Sequence, residues 1–209
     1  MYMKKILTLC LLTLTTLFGA GTAFADGILD QISEANASLK SMEAGFTQTK
    51  TIKASGKTSS FSGTMYYTAP DKLAMVYDQE SEGLVINGTK LFIRRGGKTN
   101  KGDTRHNNQM DHLSSTLFSC MKGELQKAAD NNNADITTKT VGNEYEVTLK
   151  ARKKASKGFS CITLRYRKSD CQIVSMRLEE FSGVTNEYKM TECKVGQSIP
   201  STRFDIPKK

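Results

Sequence analysis

The sequence predicts a mostly β (α+β) fold in a single exported domain. Three observations carry that expectation. Apolar residues alternate with polar ones through short segments separated by turn residues over most of the chain. Helical spacing is confined to two stretches, and the one long apolar run stands at the N-terminus behind two lysines.

The N-terminal run has the three parts of a secretory signal peptide: Lys4 and Lys5, an apolar stretch from Ile6 to about Gly19, and Ala23-Phe24-Ala25 before Asp26. Residues 1–25 are therefore expected to be cleaved and residues 26–209 to form the mature domain. Cys10 lies too early in the apolar stretch to be a lipidation cysteine, and no later run reaches the roughly 18 apolar residues of a membrane span. The expected location is the periplasm, without a lipid anchor. Removing 25 of 209 residues leaves 184, which suits one domain with a sizeable core.

Ile28, Leu29, Ile32, Ala35, Leu39 and Met42 recur mostly three and four residues apart, which predicts an amphipathic helix over 26–42. From Ala44 the period drops to two. Strands are expected over 44–52, 60–68, 72–77, 83–86 and 90–94, with Asn87-Gly88 as a two-residue hairpin turn. The polar, Gly-, Lys- and Asn-rich stretch from Gly96 to Asp111 reads as a mobile loop. A second helix follows over 111–130, with Leu113, Leu117, Met121 and Leu125 on one stripe, and Asn131-Asn132-Asn133 ends it. Strands are again expected over 134–140, 144–151, 159–168, 172–180 and 186–193, with turn residues at Gly142-Asn143, Ser169-Asp170 and Ser182-Gly183.

The full chain carries a formal charge of +9, and loss of Lys4 and Lys5 with the leader leaves about +7. Positive residues cluster in Arg94 to Arg105 and in Lys150 to Lys157. Solvated loops explain both clusters; an acidic docking partner or anionic lipid headgroups would be the sharper reading. Nucleic acid is disfavoured by export and by the absence of a recognition motif. Four cysteines, Cys120, Cys161, Cys171 and Cys193, remain after cleavage. A hairpin at Ser182-Gly183 would bring Cys171 and Cys193 to or next to facing positions and leave Cys120 for Cys161; four buried free thiols are the other reading.

Catalysis finds no residues to carry it. Gly97-Lys98-Thr99 has Phe92 where a phosphate-binding loop needs its first glycine. His106 and His112 lack carboxylate or cysteine partners at ligand spacing, so neither a metal site nor a cofactor is expected. No Gly-x-Ser-x-Gly elbow occurs. Glu179 and Glu180 point to opposite faces of a strand, while Glu144 and Glu146 share a face expected to be solvated.

One sheet face is instead unusually apolar and built of adaptable side chains. Phe61, Met65, Tyr67, Leu73, Met75 and Tyr77 belong to it on the early strands, and Leu164, Tyr166 and Met176 on the late ones. Periodicity alone favours a filled sheet-on-helix core for this face over a ligand cavity.

A block of sequence tips the balance. Phe46-Thr47-Gln48, Gly63-Thr64-Met65-Tyr66-Tyr67 leading to Pro70, Lys72-Leu73-Ala74-Met75-Val76-Tyr77, Leu84-Val85-Ile86-Asn87-Gly88 and Lys90-Leu91-Phe92-Ile93 follow one another in the order and spacing of the periplasmic outer-membrane lipoprotein carriers, the LolA family. The chain resembles that family over essentially the whole mature region, to a terminal Phe204-Asp205-Ile206. The resemblance implies a curved, unclosed antiparallel β-barrel of about eleven strands, with helices covering an apolar cavity. It implies a carrier and not an enzyme: a monomer that shelters the acyl chains of lipoproteins, accepting them from an inner-membrane ABC transporter and delivering them to an outer-membrane receptor. Leu73, Met75 and Tyr77 match the family's cavity-facing strand. One departure is Ala69, which stands where many members have a basic residue that helps hold the lid helices. The same fold with another lipid or amphiphile as cargo, or as a sensor module that binds lipid or a partner protein, is the alternative.

Overall fold

The structure, a computed structural model, describes residues 20–206. Most of the expected leader therefore lies outside the described residues. The chain begins with helix α1 (Ala20–Asn36), continues through strands β1 (Ser41–Ile52), β2 (Lys57–Thr68), β3 (Lys72–Tyr77), β4 (Gly83–Asn87), β5 (Lys90–Arg95) and β6 (Lys98–Asp103), and crosses over by helices α2 (Asn108–Met121) and α3 (Leu125–Asn131). Strands β7 (Ala134–Val141), β8 (Glu144–Ala151), β9 (Phe159–Arg167), β10 (Ile173–Glu180) and β11 (Val184–Val195) follow, and a 3-10 turn (Ser201–Phe204) closes the described chain.

All eleven strands form one antiparallel sheet in the order β6-β5-β4-β3-β2-β1-β11-β10-β9-β8-β7. Two meanders, β1–β6 and β7–β11, are joined where β1 pairs with β11. The strands β6 and β7 have no common partner, so the barrel stays unclosed. The one connection between these two edges is the α2–α3 segment, whose Leu117, Met121 and Leu125 enter the same core as Met65, Tyr67, Leu73, Ile162 and Leu164 of the sheet. Ile32 carries α1 into that core as well.

Four details depart from the sequence expectation. The first helix stops at Asn36, six residues short of Met42, because the Asn36 amide turns back onto the Ile32 carbonyl (2.9 Å) and onto the Cys171 carbonyl (3.0 Å). The expected loop at 96–111 contains strand β6, paired to β5 through a hairpin whose Gly96 and Gly97 both take positive φ (56° and 77°). As an edge strand that is polar on both faces, Lys98–Asp103 offers no alternation to read. The expected helix over 111–130 is broken at Gly123, whose φ of +69° ends α2 against α1: a Cβ there would lie 2.7 Å from the Ile32 carbonyl oxygen.

A second, smaller core on the outer face of the sheet is the fourth departure. Tyr66, Ala74, Val85 and Phe92 alternate with the inward residues of β2 to β5 and are covered by Phe204, which is 1% exposed. The Asn87 amide holds this C-terminal segment by donating to the Phe204 carbonyl (3.1 Å), and the Arg203 guanidinium lies 4.9 Å over the Tyr66 ring. Strands β4 and β5 are apolar on both sides at Val85 and Phe92 for this reason.

Candidate functional site

Alternation aims Met75, Leu84 and Ile93 of neighbouring strands at the inside of the sheet, and Met176 and Leu178 do the same from β10. Leu113 and Leu117 of α2 lie over them. Between these walls is a cavity of about 250 Å³. Lys50, Glu82, Arg94, Arg95 and Glu180 contribute to its lining, and Arg95 approaches Glu180 at 3.9 Å.

Aromatic and amide side chains complete the wall. Tyr77 and Tyr188 line the cavity, and Phe46 stands edge-on to both at ring distances of 5.0 and 6.0 Å. Gly63 makes room for it, since a Cβ there would sit 2.9 Å from the Phe46 ring. Burial pushes the Tyr77 phenol far above the ordinary tyrosine range, and its hydrogen bond to Tyr188 adds to the shift. Burial also raises Tyr188. Both rings are therefore neutral, and neither adds charge to the cavity.

Gln48 and Asn186 also line the cavity, and each is at least nine-tenths buried. The Gln48 Nε2 donates to Asn186 Oδ1 at 2.8 Å, while Gln48 Oε1 has no hydrogen-bond partner among the described residues. A buried carbonyl left so costs about 1–3 kcal/mol.

Of the residues singled out in the sequence, Met75, Tyr77 and Met176 lie in the cavity wall. Phe61 is half-buried and packs edge-on to Tyr77 at 6.3 Å. Met65, Tyr67, Leu73, Leu164 and Tyr166 lie outside the cavity, in tight core under the helices, each no more than 1% exposed. Tyr67 meets Phe118 of α2 at 6.2 Å, and its phenol is pushed up to about 12 by burial and by Glu124. Face alternation cannot separate the two groups, because all of them point to the same side of the sheet and only the packing of distant elements decides which of them border the space. Gln48, Asn186 and Tyr188 were missed as site residues; an amide at an inward position, as Gln48 is after Phe46, was the available signal.

All four cysteines among the described residues are unbridged. Cys161 points to the outer face, opposite Lys150 and Glu179, whereas Cys120 lies in the inner core on α2, so these two cannot pair. The β10 ladder begins only at Ile173, and Cys171 sits before it with φ 52°; Cys193 donates instead to Gln172 Oε1 at 3.3 Å. Glu146, expected to be solvated, is 8% exposed under Lys139 and Arg165, each 2.8 Å away. The basic stretch from Arg94 is likewise engaged: Asp103 pairs with Arg105 (2.7 Å) and Lys90 (3.0 Å), which hold its carboxyl far below the usual carboxylate range, and the Arg94 guanidinium lies over the Phe92 ring at 5.4 Å.

Solved structures similar to this one share little of its sequence. An uncharacterized conserved protein from Thermus thermophilus is similar with a TM-score of 0.49 at 10% identity, over 88% of this chain and 94% of that one. A LolA superfamily protein from Nitrosomonas europaea is similar at 8% identity with a TM-score of 0.41, over 87% of this chain and 97% of that one. A DUF1329 family protein from Desulfovibrio piger gives 11% identity and a TM-score of 0.44, over 87% and 97%. No curated protein is a significant match. The sequence of residues 37–207, all but the first helix and the termini, matches the family described as outer membrane lipoprotein carrier protein LolA, and the chain belongs to that family.

Proposed function

We propose that the mature protein is a periplasmic carrier that shelters acyl chains in its cavity and moves them between the inner and outer membranes. The observation that carries this reading is a space inside the sheet, under α2, whose wall sets Met75, Leu84, Ile93, Leu113, Leu117 and Met176 beside polar and charged side chains. Each methylene taken out of water contributes about 0.8 kcal/mol, so a chain of ten or more is held without any charge or covalent bond. Met75 and Met176 supply walls that repack around chains of different shape.

In this reading residues 1–25 direct export, acylated lipoproteins are the cargo, and an inner-membrane transporter and an outer-membrane receptor stand at the two ends of the route. The cavity of about 250 Å³ lies just below the roughly 300–1,000 Å³ of ordinary ligand pockets. It suits one chain segment, and a bulkier cargo requires α2 to move outward. A different single-chain amphiphile as cargo is the second reading, favoured by that size.

Native mass spectrometry of protein purified from a periplasm without detergent tests the proposal, followed by identification of lipid released on denaturation. Bound acylated species are the expected result. A ligand-free mass together with no binding of a fluorescent alkyl probe would overturn it.

A further inference from the structure

Three hairpin tips stand side by side at one end of the sheet: the β1–β2 tip at 53–57, the β10–β11 turn at 181–183 and the β8–β9 loop at 152–158. Their main chains are joined, since the Lys53 amide donates to the Gly183 carbonyl (2.9 Å) and the Phe181 amide to the Gly158 carbonyl (3.1 Å). Lys53, Lys57, Lys153, Lys154 and Lys157 are exposed on these tips, and none of them has an ion-pair partner among the described residues. The tips themselves contain no acidic residue. Neighbouring carboxylates are engaged elsewhere: Asp135 holds Arg152 at 2.6 Å, Glu179 holds Arg177 at 2.9 Å, and Glu180 accepts from Ser182 at 2.9 Å. The acidic β3–β4 turn is set back from the tips. Its Asp78 accepts from Ser62, which lies about 17 Å along β2 from Lys57 at the rise of an antiparallel strand. The lysines therefore form a cationic surface with no counter-charge of its own.

We infer that this end of the sheet docks on a membrane surface of anionic phospholipid, with Lys53, Lys57, Lys153, Lys154 and Lys157 among the headgroups. Protein–protein interfaces are depleted in lysine and anchored by arginine and aromatic side chains in pockets. A lysine ammonium on a flexible stem, carried by tips whose other residues are mostly Ala, Ser and Gly, instead suits headgroups that move to meet it. Each lysine close to such a surface raises binding about fivefold, and salt screens the attraction. Ile52 and Val184 face each other where two of the tips begin, and both line the cavity, as does Phe159 beside the third. Docking in this orientation turns that end of the cavity toward the lipid. The inference goes beyond the carrier reading and does not rest on it, because attachment to a membrane is read with no ligand in the cavity.

The experiment is cosedimentation of the protein, purified from a periplasm, with vesicles of phosphatidylcholine alone or with about one-third phosphatidylglycerol, at about 0.05 M and about 0.5 M salt. Wild type is expected to bind the phosphatidylglycerol vesicles at least about tenfold more tightly than the neutral ones at low salt, and to lose that preference at high salt. The triple variant Lys153→Glu, Lys154→Glu, Lys157→Glu should weaken this binding at least about tenfold, and Lys53→Glu with Lys57→Glu is a second variant on a separate tip. A control of equal charge change, Lys40→Glu, Lys168→Glu, Lys194→Glu, lies at the opposite end of the strands and should stay within about threefold of wild type. Equal binding of wild type to both kinds of vesicle overturns the inference and leaves the carrier reading standing. So does binding to soluble polyglutamate without binding to phosphatidylglycerol, which would make an acidic polypeptide the partner. A loss as large in the control as in the triple variant overturns the assignment to these tips. The wild-type comparison decides the matter even if a variant does not fold.

Discussion

The hydroxyl of Tyr166 on β9 donates a 2.9 Å hydrogen bond to the main-chain oxygen of Cys120, in the last turn of α2, and both residues are 1% exposed. Sheet and lid helix are thus fastened from the far meander. At the place where many family members carry a basic residue for this purpose, Ala69 packs into the core and offers no side-chain donor. Cys120 also accepts from the Gly123 amide at 3.3 Å, so loss of the Tyr166 hydroxyl does not orphan the carbonyl. Tyr166→Phe is expected to lower stability by about 1 kcal/mol, the net worth of one buried hydrogen bond. Urea unfolding with an unchanged denaturant slope checks it.

Gly123 is the hinge between α2 and α3, and two effects oppose any side chain there. Its φ of +69° strains every L-residue, and the added Cβ would meet the Ile32 carbonyl oxygen at 2.7 Å, a main-chain atom that cannot swing aside. Gly142 has a similar φ of +57° but nothing within 4 Å. Gly142→Ala should therefore cost about 1 kcal/mol from the backbone alone, and Gly123→Ala at least about 2 kcal/mol. Equal losses in thermal unfolding would show that the contact with α1 is unimportant.

Glu146 accepts from Lys139 and Arg165 on the outer face, and the hydrogen bond from Lys139 is the main cause of its lowered pKa. A carboxylate whose folded pKa is depressed stabilises the fold above its unfolded pKa, about 4.3, and that contribution is lost as pH falls through the folded value. Wild type should exceed Glu146→Gln in stability at pH 7, and the gap should close below about pH 4. Denaturation midpoints of the two proteins measured from neutral pH down to about pH 3 provide the test.

Burial alone pushes the Cys120 thiol up to about 12. Thiolate is the reactive form, so Cys120 should resist iodoacetamide at about pH 8 and become labelled only as α2 opens. Half-buried Cys161, on the outer face, should react first. Mass mapping of the modified cysteines over time would reveal a different order if the lid were open in solution.

Met75 is 3% exposed and lies in the cavity wall. Met75→Glu places a carboxyl where ionisation requires it to desolvate, which should abolish uptake of an acyl probe. Space at the wall should let the variant fold. Circular dichroism and probe fluorescence read the two outcomes separately, and an unfolded variant would identify Met75 as packed core.

Adjacent residues were enough to reveal the class of fold and most of its strands. Lys72–Tyr77 and Glu144–Ala151 match their expected ranges because an inward–outward alternation is a local property. Strand β6 was not legible, since Lys98–Asp103 is polar on both faces and owes its conformation to pairing with β5. The division of one apolar face into tight core and cavity arises from the packing of elements far apart in the chain. Tyr67 and Tyr77 alternate on neighbouring strands in the same way, yet Tyr67 meets Phe118 of α2 and Tyr77 packs against Phe46 and Phe61 at the border of the cavity. Gln48 and Asn186 meet across 138 residues of chain, through the β1–β11 pair that joins the two meanders. A cavity is the volume that distant elements leave unfilled, and no local pattern of residues encodes where packing stops.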